Sequence, residues 1–189
     1  MKYERDASLK YFALQLDMQL PILETNLATI AAHATALEQE NIDFVAHLKE
    51  LNAEEIDQTV YMLDQQITQK IDCTQCGNCC KTLMIGLNEK EANHAADHLG
   101  ISRNTFDEKY VEKSLSGKML MSSIPCHFLA DNKCTIYDNR FAGCREFPAL
   151  HLPEVQKRLF TIFMHYDRCP IIFNVMESLK IAVRFNQHQ

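Results

Sequence analysis

The sequence predicts a mainly α-helical chain with one small, irregular, loop-rich cysteine-cluster metal domain, α+β at most, containing a single short hairpin. Three observations predict this. Apolar residues recur at spacings of three and four before residue 72 and again near the C-terminus. All eight cysteines lie between Cys73 and Cys169. Only one stretch, 118–138, places short apolar runs on either side of a turn signal. The expected divisions are a helical region at 1–71, a metal domain at 72–170 and a C-terminal helix at 171–189 packing on it.

Taken in order, the first twenty residues hold one helix candidate. A second begins near Pro21 in "LPILETNLATIAAHATALEQE", with Leu23, Leu27, Ile30, Ala34 and Leu37 as its apolar stripe. A shorter one covers 42–51. Ile56, Val60, Leu63, Ile67 and Ile71 share one face of the next, which Asn52 and Glu55 open as a capping box. Amphipathic helices usually bury such stripes within their own fold, and a partner-docking or dimerising surface is the alternative.

Beyond the first cysteines, Asn88 and Glu91 have capping-box form, and their helix should stop at Gly100. Ala92, Ala95, Ala96 and Leu99 form its core face. That leaves His94 and His98, four apart, on the solvent side. The hairpin is expected around "ADNK", and "PIIFNVMESLKIAVRF" reads as the closing helix.

The formal charge is −6 and the pI about 5.7, which argues against nucleic acid as a partner, since phosphate affinity is built from excess Lys and Arg. Asp6, Lys10 and Asp17 interrupt any secretory signal, and no run approaches the roughly 20 apolar residues of a membrane span. The expected setting is the cytoplasm, without membrane attachment. There, dense cysteine points to metal binding or catalysis rather than disulfides.

In "CTQCGNCC", residues 73–80, two residues between cysteines let both sulfurs turn toward one ion, and Gly77 permits the left-handed turn this needs. Thiolates are soft ligands and select zinc, Cu(I) or iron–sulfur clusters. Cys79 and Cys80 are adjacent. On an extended backbone they would point to opposite sides and serve two metals or two corners of one cluster. Eight thiolates also make two four-cysteine zinc sites, while Cys169 before Pro170 fits the ferredoxin-type arrangement. Spacing leaves both open. His127 and His165 are possible substitute ligands. Lys81, Lys133, Arg140 and Arg145 can donate hydrogen bonds to thiolates, with Arg145, adjoining Cys144, the first choice.

Read together, "CTQCGNCC", "CHFLADNKCTIYDNRFAGCREFP" and "CP" at 169–170 resemble the CxxCxxCC family of zinc- or iron-chelating proteins, often called YkgJ-like. All eight cysteines match its pattern, as do Gly77, Leu129, Ile136, Tyr137, Arg140, Arg145, Phe147 and Pro148. The chain departs from it at Phe141, where the family usually has proline. The resemblance implies a cysteine-rich metal-binding domain. Some relatives with a similar pattern act as flagellin lysine methylases, although this chain has no cofactor-binding glycine loop.

The expected function is metal binding through Cys73, Cys76, Cys79, Cys80, Cys126, Cys134, Cys144 and Cys169, with zinc as the ion or an iron–sulfur cluster as the alternative. The competing classes are an iron–sulfur enzyme or electron carrier and a zinc-scaffolded interaction module that docks a protein through the N-terminal helices. Structural zinc contributes on the order of 10–16 kcal/mol, so residues 73–170 are expected to need metal to fold.

Overall fold

The computed structural model describes residues 21–185, so the helix candidate in the first twenty residues lies outside the described part. The chain is mainly helical with a small β component, as predicted. In order, the elements are α1 (Leu27–Ala36), α2 (Glu38–Glu50), α3 (Ala53–Thr68), α4 (Cys73–Cys76), α5 (Asn78–Thr82), β1 (Gly86–Leu87), α6 (Glu89–Leu99) and α7 (Arg103–Tyr110). Then come β2 (Val111–Lys113), β3 (Met119–Met121), β4 (Leu129–Ala130), β5 (Lys133–Cys134), a 3₁₀ turn (Tyr137–Asn139), α8 (Ala142–Glu146), α9 (Val155–Phe163) and α10 (Pro170–Ala182). Among the described residues no helix is long and apolar enough to cross a membrane.

The chain divides into two compact units. One joins the residues up to Ile71 to those from Leu150 onward; the other is Asp72–Ala149.

In the helical unit, α3 packs against both α9 and α10. Its stripe of Ile56, Val60, Leu63 and Ile67, continued by Ile71, is buried as predicted. The Asn52 side chain caps it, accepting from the N–H groups of Glu54 at 3.0 Å and Glu55 at 3.1 Å. α10 is buried on almost every side, as expected of a helix enclosed by others. Two of its buried polar members, Asn174 and Lys180, have partners, whereas the buried Ser178 Oγ has none among the described residues. Asn174 accepts from the Glu24 N–H and donates to the carbonyls of Glu24 and Pro170, and Lys180, 4% exposed, lies 2.8 Å from both Glu40 and Glu177. α9 lacks a cap of its own because Glu154 has φ 60° and no capping side-chain bond. Asp57 of α3 supplies one, accepting from the Glu154 and Val155 N–H groups at 2.7 and 2.8 Å.

The helix expected from Pro21 starts instead at Leu27. Asn26 caps it through the N–H groups of Ala28 and Thr29, and Glu24 is tied to Asn174 in an extended approach. The expected stripe is also broken at Leu37, where α1 ends and α2 begins.

In the cysteine unit, β1, β3 and β2 form an antiparallel sheet in that order, with Leu87 opposite Met119 and Val111 opposite Met121. The sequence predicted only the hairpin. The sheet strands are two or three residues long, too short to show an alternating pattern. β4 and β5 form the expected hairpin, pairing Leu129 with Cys134 and Ala130 with Lys133. Asp131 and Asn132 turn it with φ of 49° and 62°, the twist two-residue hairpins favour. The core comprises Leu87, Ala92, Ala95, Ala96, Phe106, Met119, Met121, Phe128, Ile136 and Phe141.

Candidate metal centre

Six cysteines line one cavity of about 70 Å³ in the cysteine unit: Cys73, Cys79, Cys80, Cys126, Cys134 and Cys144. Each is placed by a local device. Asp72 opens α4, accepting from the Thr74 N–H at 2.8 Å, and so sets Cys73 at the start of a single helical turn. Gly77 ends that turn with φ 58° and starts α5, which carries Cys79 and Cys80. A Cβ at Gly77 would sit 2.7 Å from the Asn132 carbonyl oxygen, so the same glycine lets the hairpin turn approach. The hairpin carries Cys134 on β5. Cys126 is tied to α5 by its N–H, which donates to the Cys80 carbonyl at 2.8 Å.

Cys144 stands on α8, and Glu91 fixes that helix to α6. The capping box at Asn88 is present in both directions, and α6 ends at Gly100 with φ 66°. The second oxygen of Glu91 accepts from the Ala142 N–H at 2.6 Å, at the start of α8. His94 and His98 are exposed and both meet Asn139, at 2.7 and 3.1 Å. They latch the 3₁₀ turn to α6 and lie outside the cavity wall. Phe141 has φ −59°, the value proline would impose, so the turn survives the substitution, and the ring is buried beside Phe128.

The expectation that Cys79 and Cys80 face opposite ways is overturned. They lie on a helix, where neighbours are about 100° apart rather than opposed. Both line the same cavity, and the Cys80 thiol donates to Cys79. That bond and nearby backbone N–H groups pull Cys79 down from the usual thiol range, while Cys80 is pushed up. Burial raises Cys73, Cys126 and Cys134 and drives Cys144 up to about 12, with neighbouring thiolate charge adding to the rise at each. The Phe128 and Ile136 N–H groups oppose it by bonding to Cys126 and Cys134.

Sequence reasoning favoured Arg145 as the thiolate partner, but the cation in the cavity wall is Arg140. Its guanidinium lies 3.5 Å from the centre of the Tyr137 ring, and its Nε donates to the Tyr137 carbonyl at 2.9 Å. Its charge favours the thiolate forms of Cys73, Cys79, Cys134 and Cys144. Arg145 instead donates to the Arg140 carbonyl, and Lys81 donates to the Cys76 carbonyl at 3.5 Å. Adjacency in sequence misled here, because α8 turns the Arg145 side chain to the backbone.

The remaining two expected ligands are Cys76 and Cys169. Cys76 is half-buried, three residues after Cys73, and outside the cavity wall. Cys169 is buried in the helical unit, where it precedes Pro170 at the start of α10.

The donor set fits a soft metal in kind, since six thiols line one small space beside one guanidinium. As they stand, no three His, Cys, Asp or Glu side chains among the described residues converge closely enough to hold an ion.

No curated protein and no solved structure shows significant similarity to the chain. A family model described as "Putative zinc- or iron-chelating domain" matches residues 72–169, just over half of the 189 residues. On that match, the chain belongs to the CxxCxxCC family.

Proposed function

We propose that this protein binds zinc through the thiols of Cys73, Cys79, Cys80, Cys126, Cys134 and Cys144, at a site holding more than one ion. The observation that carries this is the number of thiols on one cavity wall. A single structural zinc takes four ligands, and six exceed that. Cys76 and Cys169 complete the set through the family pattern, which runs to Cys169. Arg140 offsets part of the thiolate charge, and Tyr137 holds it in place.

A second reading, an iron–sulfur cluster, draws on the same excess of thiols, because Cys79 and Cys80 supply adjacent sulfurs to one space. The wealth of thiols supports a reducing, cytoplasmic setting for either metal.

Elemental analysis of anaerobically purified protein tests the proposal. More than one zinc per chain, no visible absorbance, and loss of metal in the Cys79→Ser/Cys80→Ser variant are expected. Iron with visible absorbance would replace zinc by the cluster. Protein that takes up no metal while its thiols are reduced would end both readings.

A further inference from the structure

α6 carries two imidazoles that the thiol cavity does not use. His94 and His98 are four residues apart, so they stand one above the other on one face of the helix. That face is the solvent side: Ala92, Ala95 and Ala96 fill the core, while both histidines are exposed. Both rings turn toward one point on the 3₁₀ turn. His94 Nε2 lies 2.7 Å from Asn139 Oδ1, and His98 Nδ1 lies 3.1 Å from Asn139 Nδ2. Ring nitrogens from successive turns of one helix thus converge on the two ends of a single carboxamide. Neither ring nor Asn139 borders the thiol cavity.

The chemistry of this meeting point differs from that of the cavity. A carboxamide has one accepting and one donating end, so one ring presents an N–H to it and the other a lone pair. The lone pair of a neutral imidazole is a metal ligand, and a change of tautomer exposes the matching one on the first ring. Imidazole suits zinc, copper and nickel, whereas thiolates select softer ions and clusters. Histidines four apart on one helix face are also the spacing by which a helix offers two ligands to zinc. Position 95 is a buried alanine, so the glutamate base that accompanies this spacing in metalloproteases is absent. Among the described residues no third His, Cys, Asp or Glu completes the pair. The remaining positions fall to Asn139 Oδ1 and to water, an open coordination sphere.

We infer that His94 Nε2 and His98 Nδ1, with Asn139 Oδ1, form a second metal site that takes a zinc ion from solution in place of the amide bridge between the rings. This inference goes beyond the thiol site and does not depend on what the thiols bind. Asn139 directly precedes Arg140, so the ion would fasten to α6 the turn that delivers the guanidinium to the cavity wall.

Calorimetric titration of the full chain with zinc tests this, after the thiols have been saturated with zinc and the excess removed. The comparison is the His94→Gln/His98→Asn variant. Glutamine sets its amide close to where Nε2 stood and asparagine close to where Nδ1 stood, so polar contact with Asn139 is kept and both imidazoles are lost. Both positions are exposed, so the variant should fold, which circular dichroism checks. The wild type should bind one further equivalent, with zinc shifting the nitrogen resonances of His94 Nε2 and His98 Nδ1. The variant should bind it at least about tenfold more weakly, the loss seen when even a group supporting a metal ligand is removed. No further equivalent in the wild type, or one that the variant binds equally well, would overturn the inference. Failure of the thiol reading shows separately, as the absence of zinc from both proteins before the titration, and the difference between them would be read in the same way.

Discussion

The two units bury their side chains in different ways. The helical unit has a broad apolar core, with Ile30, Phe44, Leu48, Ile56, Val60, Leu159, Val175, Met176 and Leu179 each 1% exposed or less. Of its buried polar groups, Asn174 and Lys180 meet partners, while Asn41 Oδ1 and Ser178 Oγ have none among the described residues. The cysteine unit has fewer than eighty residues and a core of ten, three of them alanine, with Cys126, Cys134 and Cys144 packed half-buried against it. A single core of that size rarely supplies more than about 3–5 kcal/mol. Structural metal contributes on the order of 10–16 kcal/mol, enough to dominate the second unit. The first unit has the core to fold by apolar burial alone.

The sharpest way to break this contrast from the helical side is Phe44→Ala. Phe44 is fully buried, with its ring centre 5.0 Å from Phe185 and 6.3 Å from Phe163. A loss of about 3–5 kcal/mol is expected in denaturant unfolding followed by circular dichroism. Metal content should not change.

Gly77→Ala probes the other side and should have a smaller effect on stability. It forces an alanine into the left-handed region and sets its Cβ against the Asn132 carbonyl. The conformational part alone costs about 1–2 kcal/mol. Because the contact is with backbone rather than a flexible side chain, the hairpin bearing Cys134 must shift. Reduced metal stoichiometry, with the helical transition unchanged, is the expected readout. A smaller effect still is expected of Arg140→Gln. It leaves every thiol in place but removes the guanidinium, and zinc affinity by chelator competition should fall about tenfold, the scale typical of groups that support metal ligands.

Much of this contrast was legible in the sequence. The α3 stripe, the Asn88–Glu91 box and the Gly100 stop depend on residues within one or two turns, and local spacing reports them. The hairpin at Asp131–Asn132 was legible for the same reason. The sheet joining β1, β3 and β2 was not, because strands of two or three residues show no period, and β1 pairs with β3 across more than thirty positions. The orientation of Cys79 and Cys80 turned on whether five residues were extended or helical, which so short a run does not reveal. Arg140 was passed over for Arg145 because chain adjacency does not report which way a helix turns a side chain. The cap that Asp57 gives α9 joins residues almost a hundred positions apart and leaves no local signal.

Hydrogen exchange on metal-free and metal-loaded protein, both with reduced thiols, tests the account most directly. Removing the metal should strip protection from amides between Asp72 and Ala149 while those of α3 and α10 stay protected. Equal protection of the cysteine unit in both forms would contradict the claim that its thiols fold it around metal.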